Sequence, residues 1–543
     1  MVNAPIDEAE FPITWEDPTY ADLQWSRDDM HCPLPLPPLA GDYMIGPLSE
    51  GANYYYKQTG EPVAWLGQVF NGYVYFATWL GVPESERPRI DAVFQELDRK
   101  LSLTIRAYWD NEVMPALRET YGWLRDAPVE TASPAELADM WQEACKRVAD
   151  VWGMHFLTVS GCYQCLDTLA DLYESLFEGA APAEALSLAQ GHSGDLHKVE
   201  SDLYSLTQQV RNSPALAQLL EQRADLPITE LEKVEGGPEF LRSLQDFLGN
   251  HGHLGQPFDD LSYPSWEDEP ELLMAELKKR LDRDTKDPQQ LQTRLLEQAD
   301  ALAESTRARL MDRPEDLARF EEALDLARTG GSLTEDHNYW LDRMVHAYFH
   351  RFAVRIGARM VEAGVLAEAR DIFFLHIKEI GETLRDGNSR DFRSVVAGRK
   401  LELEKQKSLR PPKIVGKPRV EVERNNRFSP RTTETEDRMM LKGTGACAGN
   451  ARGTARVVLS PADFAKVNHG DILVCPASNP SWVPLYGIIG GLVTNTGGVL
   501  AHAAVTAREF GVPAVVGAAK ATEIIRDGQT IEVDGAAGIV RLY

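Results

Sequence analysis

The stretch GGLVTNTGGVLAHAAVTAREFGVPAVVG, residues 490–517, holds the residues whose order points to chemistry. An apolar run, Leu492–Thr494, leads into Gly497-Gly498, and His502 follows at the start of an Ala-rich segment. Adjacent glycines allow positive φ and close backbone approach. A helix beginning near His502 would offer unpaired N–H groups and a partial positive charge, which is a seat for a phosphate. The same positive end should keep the imidazole neutral, with one ring nitrogen available as a nucleophile. Ala501, Ala503 and Ala504 are small and are expected to leave the ring uncovered. On residue types and spacing alone, His502 reads as a nucleophile or as an ordinary surface histidine.

Other constellations are weaker. His253 lies between Gly252 and Gly255, ahead of Asp259 and Asp260, and reads as a base oriented by a carboxylate or as a turn histidine bonded to backbone. Glu335-Asp336-His337-Asn338, followed by Tyr339 and Trp340, is expected to open a long helix. It serves either to cap that helix or to supply His337 as a base beside an aromatic wall. Cys162 and Cys165 have redox or zinc spacing but no second pair, so two buried cysteines are the favoured reading. His346 and His350, four residues apart, lack an obvious third ligand for a metal.

Two kinds of chain must position these groups. Ahead of residue 400, apolar residues recur at helical spacing, and Pro134, Pro270 and Pro314 sit near the starts of such runs. Asn338 to Glu362 is predicted as one helix ended by Gly364, with the following RDIFFLHI as a short strand. The aromatic-rich stretch 46–80 reads as strands or loops. After residue 440, short β-rich runs alternate with Gly, Pro, Asn and Asp, and one helix, about Ala501 to Phe510, interrupts them.

Charge divides the chain in the same way. It has 543 residues with 56 Lys+Arg against 83 Asp+Glu, a formal net charge of −27. Residues 441–543 contain 8 basic and 7 acidic side chains, while residues 391–440 contain 13 and 8. An acidic body is thus joined to a nearly neutral tail by a basic, Pro-broken segment that suits an exposed linker. Such acidity argues against nucleic-acid binding. There is no run apolar enough for a membrane span and no basic, apolar N-terminal leader, so a cytoplasmic location is expected.

Residues 490–517 resemble the phosphohistidine swivelling domain of the phosphoenolpyruvate-utilising enzymes. The family's run, T-x-x-GG-x-x-SHAA-x-x-ARE-x-G-x-PAVVG, is followed by Thr494, Gly497, Gly498, His502–Ala504, Ala507–Glu509, Gly511 and Pro513–Gly517, with Ala501 in place of the usual Ser or Thr. That resemblance implies that His502 is transiently phosphorylated, with Thr494, Gly497, Gly498 and Arg508 about the phosphate. The body resembles the acceptor region of rifampin phosphotransferase-like proteins: Trp25, Asp28, His31, Pro33, Pro35 and Pro37 match an opening motif. HGHLGQPFDDLSYPSWEDEP matches a GHRG-type segment with Leu254 where the arginine stands. His192 follows Gly191 in a Q-G segment placed by the resemblance near the substrate.

The resemblance implies a multidomain α+β chain: a mainly helical acceptor-binding body (1–402), a charged linker (403–440) and a small α/β swivelling phosphohistidine domain (441–543). It further implies an ATP-dependent dikinase-type phosphotransferase, similar to phenylphosphate synthase, in which His502 passes phosphate to a small, phenolic hydroxyl. Mg2+ and ATP would be bound mainly by a separate ATP-grasp subunit. The acceptor's base would be His253 first and His337 second, with His192, Asp336, Tyr339 and Trp340 lining the substrate. The alternatives are a larger hydroxylated acceptor such as an antibiotic, or a phosphocarrier that serves another protein.

Overall fold

The computed structural model describes residues 11–28, 31–60, 63–80, 87–180, 182–192, 194–222, 228–255, 260–281, 287–417, 440–459, 461–478, 482–499 and 501–543. They divide into two compact units, each discontinuous in sequence.

The first unit takes in the described residues of Met1–Val159, Gln256–Pro264 and Trp340–Val422. Strands Gln24–Arg27 (β1), Val63–Phe70 (β2), Tyr73–Leu80 (β3) and Ile414–Gly416 (β4) form an antiparallel sheet in the order β2-β3-β1-β4. Asn71 and Gly72, both at positive φ, turn β2 into β3, as a two-residue hairpin requires. Trp25, Phe70, Tyr73, Tyr75 and Val415 pack as its apolar core. The Trp25–Pro37 motif is architectural here: Trp25 is fully buried, and His31 Nδ1 lies 3.0 Å from Asp28 Oδ1 in the turn that follows β1.

Two expectations fail in this unit. RDIFFLHI is not a strand: Ala369–Phe374 is a 3-10 helix, and Ile377 starts the next helix. Glu368 and Asp371 form a reciprocal cap that favours the turn over extension, and Lys400 Nζ pairs with Asp371 at 2.6 Å. The expected linker is also folded in its first part. Helix Arg393–Gln406 runs past residue 403, and Ile414, Val415 and Gly416 pair with Ser26, Trp25 and Gln24. Residues 418–439 lie outside the described residues.

The second unit takes in the described residues of Ser160–Gly255, Ser265–Tyr339 and Glu423–Tyr543. The helices expected from the proline positions begin at Pro270 and Pro314, as does the long Pro134–Leu176 helix whose later part belongs here. Helix Pro314–His337 continues directly into a π-helical segment, Asn338–Arg343, and then Met344–Glu362. Glu335–Asn338 therefore lie inside a helical run and do not open one. The run packs closely on another helix at Gly330. A Cβ there would sit 2.7 Å from Cys165 Cβ and 2.9 Å from Cys162 O, so two helices meet at a glycine and the buried cysteines are packing groups.

The tail forms one mixed sheet from Met440–Lys442 (β5), Thr444–Cys447 (β6), Asn450–Val457 (β7), Ile472–Cys475 (β8), Gly491–Thr494 (β9), Ala514–Val516 (β10), Thr530–Asp534 (β11) and Ile539–Leu542 (β12). Their order is β5-β12-β11-β7-β8-β9-β10-β6, and β7 through β10 run parallel. Every residue of β8, β9 and β10 is buried, as parallel strands covered on both faces demand. Leu473, Cys475, Leu492, Ala514 and Val516 face one apolar cluster and Ile472, Val474, Val493 and Val515 the other. This is the α/β fold expected for the tail, behind a mainly helical body.

Candidate functional site

The loop after β9 carries the site. Thr494 is fully buried, and its Oγ1 donates to Thr496 O at 2.6 Å, closing the turn that leaves the strand. Gly497 has φ +111, a conformation that other residues rarely adopt, and Ala501 N donates to Gly498 O at 3.1 Å. Helix His502–Glu509 then begins, with Ala501 as its cap residue in extended conformation. His502 is half-buried at the first helical position, where the backbone dipole favours an anion. Ala503, Ala504 and Ala507 are buried against the sheet. Their smallness lets the helix lie close to the strands.

The hydroxyl that Ala501 does not supply comes from one turn further on. Thr506 Oγ1 lies 3.2 Å from His502 Nε2. Sequence reading missed Thr506, although a hydroxyl four residues from a histidine on a helix is a legible signal. Arg508 is buried, and its Nη1 donates to Val499 O at 2.7 Å and Ala446 O at 3.1 Å. It thus clamps the loop that precedes His502. Burial lowers its pKa to about 10, against opposing attraction from Cys447 and Glu509.

Within this unit the helical part comes to the loop. Val499 packs into a cluster with Leu166, Leu169, Tyr173, Ala323 and Ala327. Glu509 is pushed above the usual carboxylate range by burial, with Asp336 adding to the rise and Arg508 opposing it. Asp336 Oδ1 in turn accepts from Asp195 N at 2.6 Å, capping helix Asp195–Asn212 from outside its own chain segment. The His192 loop and Asp336, both singled out from the sequence, are therefore brought together. His192 is half-buried, and burial followed by the charge of Arg328 lowers its pKa.

His253 and His337 are both buried, at 5% exposure each. The His253 ring stands edge-on to Tyr339 at 4.6 Å. Asp259 lies outside the described residues, and Asp260 receives the backbone N–H of Ser262 at 2.8 Å. Tyr339 is buried, with its hydroxyl 2.9 Å from Asn250 O and 3.0 Å from His251 Nδ1, while His251 Nε2 is 2.9 Å from Asp202 Oδ2. This Asp202–His251–Tyr339 chain was invisible in the sequence, since 88 residues separate His251 from Tyr339. In the first unit, the Trp340 carbonyl accepts from the Tyr121 hydroxyl. His346 and His350 use Nδ1 on the carbonyls of Asp342 and Leu261, which accounts for one nitrogen of each ring without a metal.

Residues 467–538, which hold β8 through β11 together with His502, match the family described as PEP-utilising enzyme, mobile domain. Residues 159–335 match the rifampicin phosphotransferase fourth domain. The chain joins these two domains. Among its relatives, the rifampicin phosphotransferase of Streptomyces sviceus is 32% identical over 58% of this chain and 36% of that protein. The rifampicin phosphotransferase of Bacillus subtilis is 29% identical over 64% of this chain and 40% of that protein. A segment of the chondramide synthase cmdD of Chondromyces crocatus is 28% identical over 98% of this chain but only 14% of that protein. The chain spans less than half the length of each of these relatives. The mobile domain and the fourth domain contribute to the same compact unit, and Val499 of the former sits in the apolar cluster of the latter. No helix among the described residues is long and apolar enough to cross a membrane.

Proposed function

We propose that this chain is a phosphohistidine-carrying phosphotransferase module, in which His502 accepts a phosphoryl group and passes it to the hydroxyl of a small phenolic acceptor. The observation that carries this reading is His502 itself: an imidazole at a helix start, behind a positive-φ glycine turn, with the Thr506 hydroxyl at 3.2 Å from Nε2. Splitting the transfer in two gives each half a good nucleophile or leaving group. The charged groups around the helix are chiefly carboxylates, Glu335, Asp336 and Glu509, and Arg508 spends Nη1 on backbone carbonyls. That setting does not fit a triphosphate. The proposal includes Mg2+ and ATP bound mainly by a separate ATP-grasp subunit.

The relatives named rifampicin phosphotransferases favour a second reading, a larger hydroxylated acceptor. The test needs no partner. Incubation with phosphoramidate should place one acid-labile, alkali-stable phosphoryl group on the wild-type chain and none on His502→Gln. The charged chain is then offered phenol and rifampicin, and the one that receives phosphate decides between the readings. Labelling of His502→Gln to the wild-type level would overturn the proposal.

A further inference from the structure

We infer that Lys520 is the cation that meets the phosphoryl group as it arrives on His502. The inference rests on the phosphotransferase reading above and names a residue outside the motif around His502.

The loops that leave the carboxyl ends of the parallel strands β8, β9 and β10 lie side by side, where an α/β sheet receives its ligand. They are tied together. Ala518 N donates to Thr494 O at 2.9 Å, and Asn495 Nδ2 donates to Thr522 Oγ1 at 2.7 Å. Asn495 Oδ1 accepts from Thr522 N at 2.9 Å. A Cβ on Gly497 would stand 3.1 Å from Ala501 Cβ and 3.9 Å from Val516 Cβ, so the turn ahead of His502 rests on the end of β10. In sequence, residues 476–482, 495–501 and 517–520 hold one charged side chain, Lys520. Arg508, the basic residue nearest His502 along the chain, is buried with Nη1 on backbone carbonyls. In these loops a phosphoryl dianion on His502 finds backbone N–H groups, hydroxyls and one full positive charge.

The backbone at Lys520 supports the assignment. It has φ +61 and ψ +20, the left-handed conformation. The other non-glycine residues at positive φ among the described residues are Asn71 and Asn388, of the type that tolerates it best after glycine. A lysine there costs stability that glycine or asparagine would not. Its carbonyl accepts from Glu523 N at 2.9 Å and Ile524 N at 3.0 Å, duties that any residue performs. Lys520 is exposed, and its ammonium makes no hydrogen bond or ion pair among the described residues. Neither packing nor pairing offsets the strain. A cation on a long, flexible stem beside an anion site does.

The experiment charges the full chain with phosphoramidate at low ionic strength and compares initial rates. A nitrogen of His502 bonds to phosphorus as the donor's P–N bond breaks and ammonia leaves; Lys520 contributes charge and no atom. An exposed ion pair alters such a rate by about two- to fivefold. Lys520→Asn, which keeps the left-handed turn, should charge that much more slowly yet unfold at the same or a higher urea concentration. Lys520→Arg should stay within about 1.5-fold of wild type, and so should Lys466→Asn, which removes the same charge from the stretch ahead of β8. Salt at about 0.5 M should bring the wild-type rate down to that of Lys520→Asn. A Lys520→Asn rate within about 1.5-fold of wild type, or an equal loss in Lys466→Asn, would overturn the inference alone. So would an equal loss in Lys520→Arg, or a Lys520→Asn chain that is slower and also less stable, since either assigns Lys520 to the turn itself. Labelling of His502→Gln to the wild-type level would overturn the phosphohistidine reading and this inference with it.

Discussion

Thr506 shows how much of a site depends on a single side chain that a motif leaves unspecified. The run around His502 was legible because its glycines, histidine and alanines each answer a backbone requirement, and the strand, turn and helix all lie where those types place them. Thr506 answers no such requirement and became visible only through its 3.2 Å approach to the imidazole. A single neutral hydrogen bond is worth about 0.5–1.5 kcal/mol net, so Thr506→Val should slow phosphorylation of His502 by roughly two- to tenfold. The side chain keeps its shape, so the cost in stability should not exceed about the same 0.5–1.5 kcal/mol. Initial rates of charging by phosphoramidate test this, and an unchanged rate would show that the hydroxyl does not steer the ring.

At the scale of elements, the failures of sequence reading share a cause. RDIFFLHI is apolar enough for a strand, but a short apolar run does not separate a strand from a buried turn. The reciprocal cap between Glu368 and Asp371 decided it. Strand β4 could not be read at all, because its partner β1 lies some 390 residues earlier and neither has a period of its own. Helix Pro314–His337 passes through Thr329-Gly330-Gly331-Ser332, where Gly330 leaves the space that Cys162 and Cys165 occupy. Gly194 is a similar case. A Cβ there would fall 1.7 Å from Asp336 Oδ1, the atom that caps the helix beginning at Asp195. Gly194→Ala must displace that carboxylate, and such overpacking with a lost cap costs about 1–3 kcal/mol. Urea unfolding should show the loss. Adding Asp336→Ala should cost less than the sum of the two single changes, because both remove one interaction. Strict additivity would mean that the clash is relieved elsewhere.

Over the whole molecule, the acidic body expected from composition brings its carboxylates to the neutral tail. Glu335 and Asp336, from the fourth-domain match and the residue after it, act electrostatically on Tyr486, Arg508 and Glu509 of the mobile domain. Burial raises the pKa of Glu509 above its ordinary value of 4.5, and Asp336 raises it further. A carboxyl that is harder to ionise when folded takes up a proton on folding. Its contribution to stability is therefore complete below the unfolded glutamate pKa and is lost as pH rises through the higher native value. Wild-type stability should accordingly fall from mildly acid pH towards alkaline pH across that window. Glu509→Gln, which cannot ionise, should remove that part of the slope and become the more stable of the two at the alkaline end. Urea midpoints measured at intervals from about pH 5 to pH 9 bracket the ordinary and raised pKa ranges. Two curves that stay parallel throughout would show that Glu509 ionises as readily folded as unfolded, and that Asp336 does not oppose it.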